Sequence, residues 1–142
     1  MNASEISIRD AKAEDAANVL ALLEPSIATK QLLPRTLEEI RQLSLHAFVA
    51  ERGGVVVGFA AVEVYSKKMA ELQCLAVAPD SQGQGVGGQL VKLCVERARS
   101  LGIMELMAIT SSDELFLHCG FDYSLPDQKR ALFVHTTGFR HP

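Results

Sequence analysis

The stretch Leu75-Ala76-Val77-Ala78-Pro79-Asp80-Ser81-Gln82-Gly83-Gln84-Gly85-Val86-Gly87-Gly88 runs from an apolar segment through a proline into four glycines within six positions, and an amphipathic segment follows. Read as strand, loop and helix start, it carries a definite chemistry. Glycine lets the backbone approach a ligand without an intervening Cβ, and the first-turn amides of a helix have no partners inside the helix. Together with the helix dipole, those amides make a site for a pyrophosphate. Each charge-assisted hydrogen bond there contributes roughly 1.5–3 kcal/mol. An interior glycine costs a helix roughly 1 kcal/mol relative to alanine, so Gly85, Gly87 and Gly88 in a helix starting at Gln84 imply that the space beside them is used. The bland alternative is a turn without a ligand.

Gly83-x-Gly85-x-x-Gly88 also fits the dinucleotide-binding fingerprint, but its context does not. That fingerprint follows the first strand of a parallel βαβ unit, with an acid ending the second strand. Here the glycines are mid-chain, behind segments that read as antiparallel strands. Glu105, the one acid near the right distance, falls at the start of its strand.

Outward from the loop, Met69 to Val77 reads as a strand and Gln84 to Leu101 as the longest helix, stopped by Gly102. Upstream, Ala47 to Glu51 and Val55 to Ala60 flank Gly53-Gly54, the signature of a tight hairpin, and the second strand extends toward Tyr65. Glu5 to Arg9 alternates like a short first strand. Asp15 to Leu23 carries a helical apolar stripe ended by Pro25, and Thr36 with Glu38 and Glu39 caps a helix running to Leu45. Downstream, Ile103 to Ile109 is a compact apolar strand, Ser111 to Cys119 a short helix, Phe121 onward extended, and Ala131 to Thr136 a last strand. Strands and helices in this order predict an α/β fold with a mixed, mostly antiparallel sheet and about four helices, in one domain covering residues 1–142.

A length of 142 residues with 48% hydrophobic content suits one continuous core, and a net charge of −3 lacks the surplus of cations that nucleic-acid binding requires. No basic and apolar leader opens the chain and no stretch is apolar for a membrane span, so a cytoplasmic protein without nucleic-acid or membrane partners is expected. Cys74, Cys94 and Cys119 lack pairing or zinc spacing and read as reduced, mostly core-facing thiols. His46, His135 and His141 show no metal spacing, so no metal is expected.

Gln82-Gly83-Gln84-Gly85-Val86-Gly87 resembles the Gln/Arg-x-x-Gly-x-Gly/Ala motif of the GNAT superfamily of N-acetyltransferases, and the order of elements is similar over nearly the whole chain. Met69 to Val77, Arg35-Thr36, Phe116-x-x-x-Gly120-Phe121 and Leu125-Pro126-x-x-Lys129 resemble, more narrowly, the acetyltransferase domain of N-acetylglutamate synthases. The resemblance implies acetyl-CoA as cosubstrate and a sheet splayed between its fourth and fifth strands to admit it. It further implies that amides of Leu75 and Val77, with Ala76 between them, hold the acetyl carbonyl and pantetheine arm. The pyrophosphate falls to the amides of Gln82, Gly83, Gln84, Gly85, Val86, Gly87 and Gly88. Two departures stand out. An Arg usual after the last strand is missing, with Arg140 as its substitute, and Phe116 stands where the superfamily usually has a Tyr.

An amine attacks a thioester only when unprotonated, and an α-amino group is mostly charged at neutral pH. Glu71 is the candidate base. Period-two alternation puts it on one face with Gln73, Leu75 and Val77, and apolar neighbours would raise its pKa. Glu63 is the reserve. Phe116 cannot protonate the departing thiolate, which is a tolerable leaving group without an acid, and is expected to pack on the pantetheine arm or in the core. Arg35, Lys68 and Lys129 are the candidate ligands of an acceptor carboxylate, through bidentate or point-charge contacts. The sequence therefore predicts acetyl transfer to the amino group of a small molecule, glutamate or another acidic amino acid foremost. The alternatives are a different amine (a protein N-terminus, polyamine or drug) or an acyl-CoA-binding module without turnover. Edge strands in such folds often pair, which leaves a homodimer open.

Overall fold

A computed structural model describes residues 5–123, 132–134 and 136. Five strands form one sheet: β1 (Ile6–Asp10), β2 (Ala47–Arg52), β3 (Val55–Val64), β4 (Met69–Val77) and β5 (Glu105–Met107), in spatial order β1-β2-β3-β4-β5. The first three pairings are antiparallel and β4 pairs β5 in parallel. Four helices accompany them: α1 (Ala16–Ala28), α2 (Leu37–Leu43), α3 (Val86–Ser100) and α4 (Asp113–His118). The β2–β3 hairpin turns on Gly53 and Gly54 at φ of 56° and 83°, angles that side chains with a Cβ resist.

Helices cover both faces of the sheet. On one face α3 places Val86, Leu90, Val91 and Cys94 against Val57, Ala60, Val62, Ala70 and Leu72. On the other, Val19 and Leu23 of α1 with Ile40 and Leu43 of α2 pack on Val49, Phe59, Ala61 and Cys74. Phe59, Leu23 and Ile40 are fully buried, each stabilising the fold by about 1.5–3 kcal/mol.

Several boundaries differ from the sequence expectations. Pro25 does not end α1 but lies inside it, and the helix runs one turn further, to Ala28. Proline forfeits its N–H, yet the Pro25 carbonyl still accepts from the Thr29 amide at 3.1 Å, so the turn holds. α2 stops at Leu43, and a 3-10 turn over Ser44–His46 completes the expected span. Thr36 caps α2 reciprocally: its hydroxyl accepts from the Glu39 amide at 3.1 Å and its own amide donates to Glu39 Oε1 at 3.0 Å. α3 begins at Val86 rather than Gln84, which makes Gly85 its cap and not an interior glycine. β5 has three residues: pairing with β4 runs only from Glu105 to Met107, and Met104 and Ile109 on either side of it are 76% and 69% exposed. Of the expected last strand, residues 132–134 and 136 lie in no strand, and its other positions are outside the described residues.

β4 carries the feature that positions the site. Cys74 sits at φ of 60°, and the β3–β4 register slips between Phe59 and Ala61, which marks a bulge. Before the bulge Ala70 and Leu72 face α3; after it Leu75 and Val77 do, while Cys74 and Ala76 face α1. Alternation therefore does not place Glu71 and Gln73 with Leu75 and Val77, and that expectation is corrected: the bulge flips the phase.

Candidate functional site

Pairing of β4 with β5 ends at Glu71 and Met107. Beyond Glu71 the β5-side edge of β4 has no strand partner, so alternate backbone groups from Leu72 to Val77 face an open wedge. There lies a cleft of about 840 Å³, lined by Glu71 to Val77, by Gln82, Gly83, Gly85, Val86, Gly87 and Gly88, and by Leu115 and Phe116. Lys30 and Gln31, just beyond α1, close its opposite wall.

The glycine loop is built for close approach. Gly83 and Gly85 have φ of 78° and 80°, and a Cβ on either would meet nothing within 4 Å. On Gly87 it would come to 3.7 Å from Leu115 Cδ2 and 3.9 Å from Val77 Cγ2, ordinary contact. The backbone conformation requires glycine at 83 and 85, whereas at 87 and 88 the protein's own packing does not. Gln82 anchors the loop, its Nε2 donating to the Val77 carbonyl at 3.0 Å. Gln84 is exposed and is not among the cleft-lining residues.

At the far end of the cleft a polar network joins two sheet strands to the start of α2. Glu63 and Glu71 are direct cross-strand partners. Like charges so placed repel, and here polar side chains bridge them. The Tyr65 hydroxyl donates to Glu71 Oε1 at 2.6 Å and lies 3.2 Å from Glu63 Oε2. Gln73 Nε2 donates to Glu63 Oε2 at 2.9 Å, and Gln73 Oε1 accepts from Arg35 Nη2 at 2.6 Å. Partial burial, then the bond to Glu71 and the two carboxylate charges, push the Tyr65 phenol above its ordinary pKa. Arg35 is mostly buried, its Nε has no hydrogen-bond partner, and it lies 3.9 Å from Glu39. Arg35 and Glu63 also line an adjoining depression of about 480 Å³.

The candidate residues thus divide. Leu75, Ala76 and Val77 and the glycine loop share the cleft with Glu71, and Arg35 reaches it through Gln73. Lys68 is exposed in the β3–β4 turn and does not line the cleft, and Lys129 lies outside the described residues. Phe116 is buried in the core, edge-on to Phe121 with ring centroids 5.2 Å apart, and also touches the cleft. Sequence reasoning gave no role to Tyr65, to the Gln73 amide or to Lys30. Tyr65 is signalled only by the facing of Glu63 and Glu71, which needs the register, and Lys30 only by its position past α1. No group of His, Cys, Asp and Glu suited to a metal occurs among the described residues, and no helix among them is long and apolar enough to cross a membrane.

An antiparallel sheet opening into one parallel strand, with a glycine-capped helix at the wedge, is the arrangement that the resemblance to N-acetyltransferases implies for this sequence. Residues 14–121 match the acetyltransferase (GNAT) family. The chain belongs to that family. It is 35% identical over 132 residues to an amino-acid acetyltransferase of Ralstonia nicotianae, covering 89% of this chain and 29% of that protein. A Mycobacterium tuberculosis protein solved in complex with CoA and NLQ is similar with a TM-score of 0.76 and 28% identity, over 86% of this chain and 76% of that one. N-acetylglutamate synthase of Neisseria gonorrhoeae, complexed with coenzyme A and N-acetyl-glutamate, is similar with a TM-score of 0.74 and 30% identity, over 80% of this chain and 27% of that one. The chain spans under a third of the length of the curated amino-acid acetyltransferases it matches.

Proposed function

We propose that this protein transfers the acetyl group of acetyl-CoA to the α-amino group of a small carboxylate-bearing amine, with L-glutamate the first candidate, in the cytoplasm. The observation that carries the reading is the juxtaposition, in one cleft, of the open glycine loop with a carboxylate, Glu71, beside an arginine-anchored amide, Gln73. The loop fits the donor: Gly83 and Gly85 leave room where a Cβ would stand, and the free first-turn amides of α3 suit a pyrophosphate. Acetyl-CoA supplies an activated thioester. Backbone groups of β4 beyond Glu71 would hold its acetyl carbonyl and pantetheine arm, and Leu115 and Phe116 would cover the arm. Arg35 would draw the acceptor carboxylate toward Gln73, with Lys68 and Lys129 as further candidate cations.

Glu71 takes a proton from the acceptor ammonium. The freed amine forms a C–N bond to the acetyl carbon, the C–S bond breaks, and the electron pair leaves with sulfur as a thiolate, which solvent protonates. The free thiols Cys74, Cys94 and Cys119 suit a reducing compartment. Similarity to proteins named amino-acid acetyltransferase supports the acceptor class.

The test is a thiol-release screen of amines against acetyl-CoA, together with calorimetry of acetyl-CoA binding. Release with L-glutamate that is lost in Glu71→Gln, with acetyl-CoA affinity kept, is the expected result. Binding with silence across an amino-acid panel rejects the acceptor, and no binding to folded protein rejects the whole reading.

A further inference from the structure

We infer that Tyr65 is a positioning residue of the reaction, its hydroxyl orienting the Glu71 carboxylate for the acceptor amine while Gln73 links Arg35 to that hydroxyl and to Glu63. The inference rests on the proposed acetyl transfer and deepens it. Two carboxylates facing each other across an antiparallel pair are destabilising unless something intervenes. β3 and β4 hold Glu63 opposite Glu71, and two polar side chains intervene.

Their orientation is fixed by a chain of donors. Arg35 has only donors, so its bond at 2.6 Å identifies the accepting atom of Gln73 as Oε1. The Gln73 amino group must then face the carboxylates, donating to Glu63 at 2.9 Å and reaching the Tyr65 oxygen at 3.4 Å. With Glu63 served by Gln73, the single Tyr65 proton is free for Glu71, whose 2.6 Å contact is the shorter of the two that Tyr65 makes. One oxygen of Glu71 is thereby fixed and the other left for the acceptor. An acceptor carboxylate competing for Arg35 would be felt at Glu71 through one amide and one hydroxyl. Binding the acid and removing the proton become one arrangement, formed on the face of β4 that the Cys74 bulge separates from Leu75 and Val77.

The test has a kinetic arm and an optical arm. With acetyl-CoA and L-glutamate, Tyr65→Phe is expected to lower kcat by about 10- to 100-fold, a part of what general-base catalysis contributes, with KM for acetyl-CoA unchanged. With hydroxylamine, whose nitrogen is already unprotonated at neutral pH, the same variant loses less than about threefold, because no proton need be taken first. A merely structural role would depress both acceptors alike. Gln73→Met is expected to lower kcat as Tyr65→Phe does and also to raise KM for L-glutamate. The chain has no Trp and two Tyr, so Tyr123→Phe leaves Tyr65 as sole emitter. A phenol bonded to a carboxylate is quenched, and adding Glu71→Gln to Tyr123→Phe should raise its emission. Unchanged emission, or a Tyr65→Phe kcat within twofold of wild type with L-glutamate, overturns the inference. Wild-type silence with L-glutamate overturns the acceptor reading instead, and the optical arm then still decides the contact between Tyr65 and Glu71.

Discussion

Gln73 and Leu75, two residues apart on β4, lie on opposite faces of the sheet. Gln73 reaches across to Arg35 at 2.6 Å, while Leu75 packs in the cluster formed by α3. Cys74 makes the difference, held at a φ of 60° that residues other than Gly, Asn and Asp seldom adopt. A β-branched side chain there is worse still. Cys74→Val is expected to lose about 2 kcal/mol by urea unfolding, against about 1 kcal/mol or less for Cys74→Ala, which keeps the unbranched Cβ. Equal stability of the two variants would mean that the bulge relaxes freely.

Some of this was legible in the sequence and some was not. β4 was read to its observed ends because Lys67-Lys68 and Pro79 bracket an apolar alternation, and the glycines announced both a loop and its chemistry. The bulge is invisible in the sequence: Cys74 carries no sign of positive φ, so strict alternation singles out Glu71 while placing it on the wrong face. Pro25 misled because a proline late in a helix loses one amide bond, and packing of Leu23 and Ile27 on the sheet outweighs that loss. The link from Arg35, just before α2, to Tyr65, just after β3, runs through Gln73 of β4, and only tertiary register brings such residues together.

Gly87 separates fold from function. The fold tolerates a Cβ there, with its closest contact at 3.7 Å from Leu115, and alanine favours a helix over glycine by up to about 1 kcal/mol. Gly87→Ala should therefore melt at the wild-type temperature or higher. Its affinity for acetyl-CoA should fall about 10-fold, equivalent to about 1.4 kcal/mol, because the methyl group occupies the cleft. Calorimetry giving the wild-type Kd would show that the ligand does not approach this residue.

Acid should weaken the fold through Asp15. Its carboxylate accepts both Arg9 Nη groups at 2.9 Å and the Lys12 amide at 2.7 Å. The bond from Arg9 foremost, opposed by burial and aided by Lys12, holds the Asp15 pKa below its usual 3.8. A depressed carboxylate pKa contributes stability that is present above the unfolded value and lost as pH falls through the folded one. Asp15→Asn should cost about 1–3 kcal/mol at pH 7, since it weakens the two charge-assisted bonds from Arg9 and leaves Glu51 as that residue's carboxylate partner. The gap between variant and wild type should narrow below about pH 4. A gap that stays constant down to pH 3 would remove Asp15 as its source.

Lys30 combines strain with position. Its φ of 63° ends α1 in a left-handed turn, closed by the Lys30 amide on the Ile27 carbonyl at 3.0 Å and the Gln31 amide on the Ser26 carbonyl at 2.9 Å. Glycine takes such a turn without penalty, and a side chain there costs about 1–2 kcal/mol. After allowance for the greater freedom of glycine in the unfolded chain, Lys30→Gly should raise stability by about 0.5–1 kcal/mol. Among the described residues Lys30 is also the one basic side chain lining the cleft, and it follows α1, which packs on the face of β4 opposite α3. The same substitution should therefore raise KM for L-glutamate several-fold and leave acetyl-CoA affinity alone. A stabler variant with unchanged KM would make the strain a packing accident, and weakened acetyl-CoA binding would move Lys30 to the donor end of the cleft.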